Sequence, residues 1–258
     1  MSNVLPKTLQ LHGEEGYLSI HEEHPYLFRC HSADGGLFHD FERALVELND
    51  FCFVLQEGLK HYSYQKKLEV DTDPNNFVGK PQEFREAQEN SCVLYMEAYD
   101  PALVGKFYFP ASTLSLLYFQ TISFLKNIAR VICGNKFKNK LSSMDRALKE
   151  QNGGKKSPEI VVLIELIEKV LGVNTHVFSD TEIKILVLDT LREVRNEYAH
   201  GDWGKLGNTL KGVNIVLVFR AVGRMLKLLE EPYSDWESRG AGSESIQAFL
   251  EGAGHLSK

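Results

Sequence analysis

Apolar residues three or four positions apart recur along most of this 258-residue chain, and this spacing constrains its fold more than any other feature. Such spacing gathers apolar side chains on one side of an α-helix, where they pack into a core. The first such stretch covers residues 37–62 and includes Phe38, Phe41, Leu45, Leu48, Cys52, Leu55 and Leu59. The spacing therefore predicts an all-α bundle.

Residues that start and stop helices divide the rest of the chain. Ser157 followed by Pro158 predicts a helix start, because a serine N-cap satisfies free N–H groups and proline suits the first turn. Ser179 opens a capping box, and Pro232 is expected to close the last helix. Further helices are predicted over residues 84–99, 111–133, 157–171, 179–200 and 213–231. Residues 213–219 are also compatible with a strand.

The N-terminal and connecting segments lack the helical spacing. Two short strands, at residues 17–20 and 26–28, are predicted around Pro25 in a small irregular or β-hairpin elaboration. Residues 63–81 and 151–156 contain turn-forming Asn and Gly and are predicted as loops. The predicted organisation is an N-terminal elaboration at 1–36, a helical domain at 37–231 and a C-terminal tail at 232–258.

Composition excludes several classes of protein. With 43% hydrophobic and 25% charged residues, the chain is typical of globular rather than disordered proteins. No secretory signal is expected at residues 1–16, and polar side chains interrupt the apolar stretch 114–133, which predicts a buried helix rather than a membrane span. Four isolated cysteines indicate reduced thiols in a cytoplasmic protein: Cys30, Cys52, Cys92 and Cys133.

The net charge of −6 argues against a general nucleic-acid coat protein, but the charge is unevenly distributed. Residues 1–100 contain 18 Asp/Glu and 8 Lys/Arg, whereas residues 101–258 contain 17 and 21. A lysine-rich connection with its flanks, residues 126–156, holds nine basic and two acidic side chains. These basic residues are predicted either to contact an RNA backbone or to form solvated surfaces.

The segment from Leu191 to Trp203 is the most informative part of the chain. One side of its helix is apolar and predicted to face the core, with Ile183, Val187, Leu191, Val194 and Tyr198. The opposite side mixes apolar residues with Arg192, Asn196 and His200, which are four positions apart and form a ladder. A helix with two such sides needs a second partner, either another element of the chain or another copy of it.

The ladder combines a permanent cation, a neutral amide and histidine, the side chain that titrates near neutral pH. Arg195 lies on its flank. Together these groups are suited to hold a phosphodiester and to move a proton. The simpler alternative is structural, because a histidine in the last turn of a helix is favoured by the helix dipole without any function.

The residues from Arg195 to Gly201, Arg-Asn-Glu-Tyr-Ala-His-Gly, resemble the R-x(4–6)-H motif of the HEPN superfamily, whose common form is Arg-Asn-x-x-Ala-His-Gly. The resemblance covers about ten residues as a motif and residues 37–231 as an architecture. It implies an HEPN-like helical bundle and a metal-independent endoribonuclease, in which two motifs meet in the cleft of a homodimer. It further implies a toxin–antitoxin or anti-phage system, with an antitoxin or defence partner protein.

The resemblance also implies roles for single residues. His200 would be the general base or acid at the ribose 2′-hydroxyl, Arg195 would neutralise the scissile phosphate, and Asn196 would orient one of them. Cleavage would leave a 2′,3′-cyclic phosphate and a 5′-hydroxyl, with no metal or cofactor. Arg192 is a second candidate phosphate ligand. Asp202 either weakens RNA binding by its charge or orients His200.

Other candidate RNA-binding residues flank the motif. Trp203 and Trp236 can stack on bases or lie buried in the core. On the next predicted helix, Arg220 and Arg224 form a basic stripe with Lys227, suited to contact an RNA backbone.

Two other functions remain open. An HEPN-like scaffold also serves as a non-catalytic dimerisation or interaction module, or as a nucleotide-binding accessory protein. The intact set of Arg195, Asn196 and His200 favours the enzyme. The sequence His-Glu-Glu-His at residues 21–24 lacks the metalloprotease spacing, so no metal site is expected there.

Overall fold

A computed structural model of the chain describes residues 9–11, 14–16, 27–31, 36–72 and 108–241. Its elements are β1 (Leu9–Leu11), β2 (Glu14–Gly16), α1 (Leu37–Thr72), α2 (Phe109–Cys133), α3 (Phe137–Gln151), α4 (Glu159–Leu171), α5, α6 (Trp203–Thr209) and α7 (Ile215–Trp236). Helix α5 is continuous and consists of Thr181–Ile183, the π-helical Lys184–Leu191 and Arg192–His200. Shorter turns are Gly134–Lys136, Val177–Ser179 and Glu237–Ala241. The predicted all-α class is confirmed.

Helix α2 lies at the centre of the bundle. It packs against α1, α3, α4, α5 and α7, and 17 of its 25 residues are buried. A helix that is apolar on most sides is buried rather than amphipathic, which confirms the interpretation of residues 114–133 as a core helix. Within the described ranges, no helix has the length and apolar character needed to cross a membrane.

One hydrophobic core joins the helices with residues 27–28 of the segment before α1. The ring of Phe38 lies 5.0 Å from that of Phe124, 5.5 Å from that of Tyr233 and 6.0 Å from that of Phe28, measured between centroids. Phe28 in turn packs on α7 at Gly223, where an added Cβ would lie 3.4 Å from the Phe28 nitrogen. The short segment before α1 therefore belongs to the same core as the helices.

The predicted N-terminal strands differ from the observed pair. Strands β1 and β2 pair antiparallel, with Leu9 opposite Gly16. The predicted strand at 17–20 lies outside the described residues. Leu27 and Phe28, predicted to be in a strand, are not in one, and both are buried in the core.

The segment after Phe28 is not in a strand because its backbone N–H groups donate to side chains of two helices and not to a neighbouring strand. The Cys30 N–H donates to the Glu42 carboxylate of α1 at 3.1 Å, and the His31 N–H donates to the Glu230 carboxylate of α7. Arg29 also pairs with Glu42 at 3.0 Å. These contacts attach the segment to two helices.

Two regions are more helical than predicted. Helix α1 continues to Thr72, so residues 63–72 of the predicted loop are helical. No Pro or Gly interrupts them, and Pro74 restricts only the residue before it. The lysine-rich connection forms α3, an amphipathic helix without a fully buried residue. The predicted helix at 84–99 lies outside the described residues.

Both predicted N-caps are wrong. Helix α4 begins at Glu159, and Ser157 is buried with its hydroxyl 2.7 Å from the side-chain nitrogen of Asn152. At α5 the cap is Asp180, whose carboxylate accepts the N–H groups two and three positions further on. Ser179 belongs to the preceding 3-10 turn, so its backbone is not placed to cap.

Helix α7 passes through Pro232, where the sequence predicts its end. Proline removes one helical hydrogen bond, but Tyr233 is buried and its ring lies 5.7 Å from that of Trp236. Burial of these rings offsets the lost bond. The strand alternative for residues 213–219 is also wrong, because the Asn214 side chain caps a helix there.

Candidate functional site

Both ends of α5, the helix with the motif, are set by local interactions. Asp180 caps its start, and Gly201 ends it with left-handed φ and ψ of 68° and 26°. This confirms that the helix ends at His200. The π-helical stretch Lys184–Leu191 lies between these ends, and π-helical turns are frequent at functional sites.

The two sides of α5 have different surroundings. On the side predicted to face the core, four residues are fully or almost fully buried: Ile183, Val187, Leu191 and Val194. Tyr198, at the end of that side, is half-buried. The last part of α5 also packs against α2, so α2 is one of the partners that a two-sided helix needs. Ile185 remains 50% exposed.

Arg195 and Asn196 are in direct contact. Arg195 Nη1 donates a hydrogen bond to Asn196 Oδ1 at 2.8 Å. The guanidinium carbon lies 5.1 Å from the ring centre of Phe119 and 5.6 Å from that of Tyr118, both on α2. Because aromatic faces attract cations, two rings and one amide hold this side chain against α2.

The charge of Arg192, like that of Arg195, affects the pKa of Tyr118. Burial raises the pKa of Tyr118 and the charge of Glu159 adds to the increase, whereas the positive charges of Arg195 and Arg192 oppose it. Both arginines are half-buried. Their Nε atoms are shielded from solvent and have no hydrogen-bond acceptor among the described residues.

Neither Arg192 nor Arg195 forms an ion pair with a carboxylate within the described part of the chain. By contrast, Arg29 and Arg43 are each paired with an Asp or Glu. A partly buried guanidinium without an anion loses hydration and gains no opposite charge. Within the described part of the chain, the positive charge of the two arginines is therefore uncompensated, and it could be offered to an anionic ligand.

His200 is the last residue of α5 and is exposed. It follows Asn196 by one turn, which places their Cβ atoms about 5–6 Å apart. It follows Arg195 by about 7.5 Å along the helix axis. Among residues that the structure describes, none bonds to its imidazole, which is accessible to a ligand.

Asp202 bonds to Lys205 and not to His200. Its carboxylate lies 2.6 Å from Lys205 Nζ and also accepts the Lys205 N–H at the start of α6. These hydrogen bonds lower the pKa of Asp202, and the same contact raises the pKa of Lys205. The structure thus shows Asp202 paired with Lys205, which compensates its charge, and no hydrogen bond from Asp202 to His200 among the described contacts.

Trp203 lies at the surface beside the motif. It is 47% exposed, and its ring centre lies 5.9 Å from that of Tyr198 and 5.8 Å from that of Tyr108, both edge-on. The core alternative is therefore wrong for Trp203. Trp236, in contrast, is half-buried against Tyr233.

Arg224, a predicted RNA contact, forms ion pairs within the chain. Its Nη2 lies 2.6 Å from a Glu182 carboxylate oxygen and 3.4 Å from one of Asp180. The pair ties α7 to the start of α5. Arg220 and Lys227 are exposed, so the predicted basic stripe is interrupted by a compensated charge.

The basic segment 126–156 is mostly exposed. Lys126 pairs with Glu159 at 2.7 Å, whereas the remaining basic side chains lie on α3, at its start or in the turn that follows, apart from Arg130 on the exposed side of α2. Arg130 lies 5.6 Å from the ring centre of Phe137. The exposed lysines give α3 a basic surface.

Sequence reasoning missed two residues of the site, Tyr118 and Phe119. They are far from Arg195 in the sequence and become its neighbours only because α2 packs on α5. One signal was present, since Phe119 lies with Leu116 on the outer side of α2, where polar residues are usual. Both side chains are exposed, by 50% and 40%.

The described residues contain no group of three or more His, Cys, Asp or Glu placed to hold a metal ion. Comparisons of the chain with protein-family models, with curated proteins and with solved structures find no match. The chemistry of the site therefore has to indicate the function.

Proposed function

We propose that this protein is a metal-independent endoribonuclease with an HEPN-like helical bundle and an active site of Arg195, Asn196 and His200. One observation carries the proposal: a half-buried Arg195, which has no carboxylate partner among the residues that the structure describes, is held by Asn196, one to two turns from an exposed histidine. An uncompensated guanidinium binds phosphate, and imidazole exchanges protons near neutral pH. The all-α bundle and the motif at a helix end support the HEPN resemblance.

The proposed reaction is an internal transesterification. His200 removes the proton from a ribose 2′-hydroxyl, and the 2′-oxygen forms a bond to the adjacent phosphorus as the bond from phosphorus to the 5′-oxygen breaks. The leaving oxygen takes up a proton from a protonated histidine or from water. Arg195 stabilises the charge that develops on the phosphate, with Arg192 as a second ligand. The products carry a 2′,3′-cyclic phosphate and a 5′-hydroxyl.

A homodimer is part of the proposal. Helix α2 leaves Ile185 and His200 of α5 exposed, so this side of α5 is accessible to a second copy of the chain. A second copy packed there would bring two histidines to one cleft, one as base and the other as acid. In a toxin–antitoxin or anti-phage system, such a nuclease also needs a partner protein that restrains it or a trigger that activates it.

The test compares RNA cleavage in EDTA by the wild type, Arg195→Ala and His200→Ala. The wild type is expected to cleave, and each variant to lose at least about 100-fold in rate, because each lacks a group that acts in the transition state. His39→Ala and Arg43→Ala are the matched controls. Both remove an exposed residue of the same type, on α1, and are expected to keep the wild-type rate.

Two outcomes would overturn the proposal. Undiminished cleavage by either site variant would mean that other residues carry out the reaction. A wild type that binds RNA without cleaving it would favour the non-catalytic module.

A further inference from the structure

Two exposed aromatic side chains lie at opposite ends of the proposed active site. Phe119 is 50% exposed and its ring centre lies 5.1 Å from the Arg195 guanidinium carbon. Trp203 is 47% exposed and follows His200 by three positions. Contact with Tyr198 holds the indole edge-on. Each ring is thus fixed by a neighbour, while about half of its surface remains open.

The two rings are too far apart to hold the same base. Tyr108, which contacts Trp203 at 5.8 Å, precedes Phe119 by about 16 Å along the axis of α2. Because Phe119 lies beside Arg195 and Tyr108 beside Trp203, α2 and the end of α5 run in opposite directions. The motif residues, including His200, lie between the two exposed rings.

We infer that Phe119 and Trp203 are stacking platforms for two unpaired bases, on either side of the phosphate held by Arg195. The ligand is then single-stranded RNA several nucleotides long. Aromatic side chains stack on any base, whereas bases in a duplex are already stacked on one another. The inference rests on the proposed function for the position of the phosphate, but it concerns binding rather than cleavage.

At the Phe119 end of the site, away from the exposed side of α5 where the second copy is proposed to pack, the charges favour nucleic acid over protein. Covering Phe119 with protein would also cover Arg195, which together with Arg192 has no carboxylate partner among the described residues. Burying such cations without an anion is costly. A phosphate backbone supplies the anions, and an unpaired base supplies the flat surface that the ring of Phe119 can stack on.

Leu116 provides a matched control for Phe119. It lies on the same outer side of α2, three positions earlier, and is 40% exposed. It is apolar but has no ring. Replacing it removes a similar exposed apolar surface and leaves stacking unaffected.

The test measures the binding of a 2′-O-methyl decanucleotide, which lacks the attacking hydroxyl, in EDTA. The wild type is expected to bind the single strand at least about tenfold more tightly than its duplex or the same backbone without bases. Binding should also quench the fluorescence of Trp203 in a Trp236→Phe variant, since the chain has two tryptophans. Equal affinity for the backbone without bases, or unchanged fluorescence, would overturn the inference.

Variants of α2 complete the test. Phe119→Ala is expected to weaken single-strand binding about tenfold, because it removes the ring. Phe119→Tyr keeps a ring and should bind like the wild type. Leu116→Ala should also leave the affinity unchanged. Equal losses for Phe119→Ala and Leu116→Ala, with loss of a dimer in sedimentation, would mean that a second copy covers this face. Undiminished binding by Phe119→Ala, with cleavage by the wild type, would overturn stacking and leave the nuclease proposal intact. Weaker binding by Phe119→Ala, together with no cleavage by the wild type, would support stacking and overturn the nuclease proposal.

Discussion

A neutral partner keeps the charge of Arg195 available. Asn196 accepts one of its N–H groups, and the rings of Tyr118 and Phe119 hold the guanidinium without neutralising it. A carboxylate in place of the amide would hold the side chain equally well but would compensate its charge. The choice of an amide at this position therefore leaves the site open to phosphate.

Substitutions of Asn196 separate the positioning of Arg195 from its charge. Asn196→Ala is expected to lower the rate of RNA cleavage about tenfold with little change in RNA affinity, because a hydrogen bond to a charged group is lost. Asn196→Asp keeps an acceptor but neutralises Arg195, so RNA affinity should fall and its salt dependence should weaken by about one phosphate contact. Cleavage rates, and binding over a range of salt concentrations, measure both effects.

Asn208→Ala is the control for these variants. Asn208 is exposed on α6 and accepts a hydrogen bond from Lys211 at 3.2 Å, so its loss should leave RNA binding and cleavage unchanged. An Asn196→Asp protein that binds RNA like the wild type would contradict the role given to the charge of Arg195.

The residues of the candidate site differ in how far the sequence can predict them. Arg195, Asn196 and His200 share one helix, where the spacing of residues decides which side chains are neighbours. The contact of Phe119 with Arg195 depends on the packing of α2 on α5, which spacing within one helix does not describe. The ion pairs of Arg224 could not be predicted for the same reason, since its carboxylate partners lie at the start of another helix.

The end of α5 depends on one backbone conformation. Gly201 has a φ of 68°, in the left-handed region that side chains with a Cβ rarely adopt. Its N–H bonds back to carbonyl groups of the last turn, and the next helix starts two positions later at Trp203. This glycine therefore determines where His200 and Trp203 lie relative to each other.

Two glycines of this region should respond in opposite directions to alanine. Gly201→Ala is expected to lower the free energy of unfolding by about 1 kcal/mol, because alanine is strained at positive φ. Gly204→Ala lies inside α6 with open space around the added Cβ, and should raise it by up to about 1 kcal/mol. Denaturation in urea measures both. Stabilisation by Gly201→Ala would contradict the left-handed end of α5.

The sequence predicts that a helix forms more reliably than it predicts the residues at which the helix begins and ends. The spacing of apolar residues predicts α1, α2, α4, α5 and α7, because each has a side that faces the core. Ser157 and Pro232 are typical boundary residues, yet the first is buried beside Asn152 and the second lies inside α7. In both cases contacts with other residues outweigh the local preference.

The described part of the molecule has one core, which includes residues beyond both predicted limits of the helical domain. Phe28 from the N-terminal side and Tyr233 from the C-terminal side both contribute to it. The segment around Phe28 lacks helical spacing, whereas Tyr233 continues the spacing of Leu226 and Leu229 past Pro232, where the sequence predicts the end of the helix. Phe28 reaches the core where its backbone packs on α7 at Gly223.

Substitution of Phe28 tests this organisation. Phe28 is 1% exposed, and Phe28→Ala is expected to lower the free energy of unfolding by about 3–5 kcal/mol, because it removes buried apolar surface and leaves a cavity. Phe51→Ala is the control, since Phe51 is 44% exposed on α1, and should cost less than about 1 kcal/mol. If urea denaturation showed the same small decrease in the free energy of unfolding for both variants, Phe28 would lie outside the cooperative core.

The proposed cleavage of RNA at Arg195 and His200 proceeds through attack by the 2′-hydroxyl. Its most direct test is mass spectrometry of the ends that the wild type leaves on RNA in EDTA. We expect 2′,3′-cyclic phosphate and 5′-hydroxyl ends, and an intact strand where a 2′-deoxynucleotide replaces the nucleotide before the cut. Ends with 3′-hydroxyl and 5′-phosphate, or cleavage only after a divalent metal is added, would contradict it.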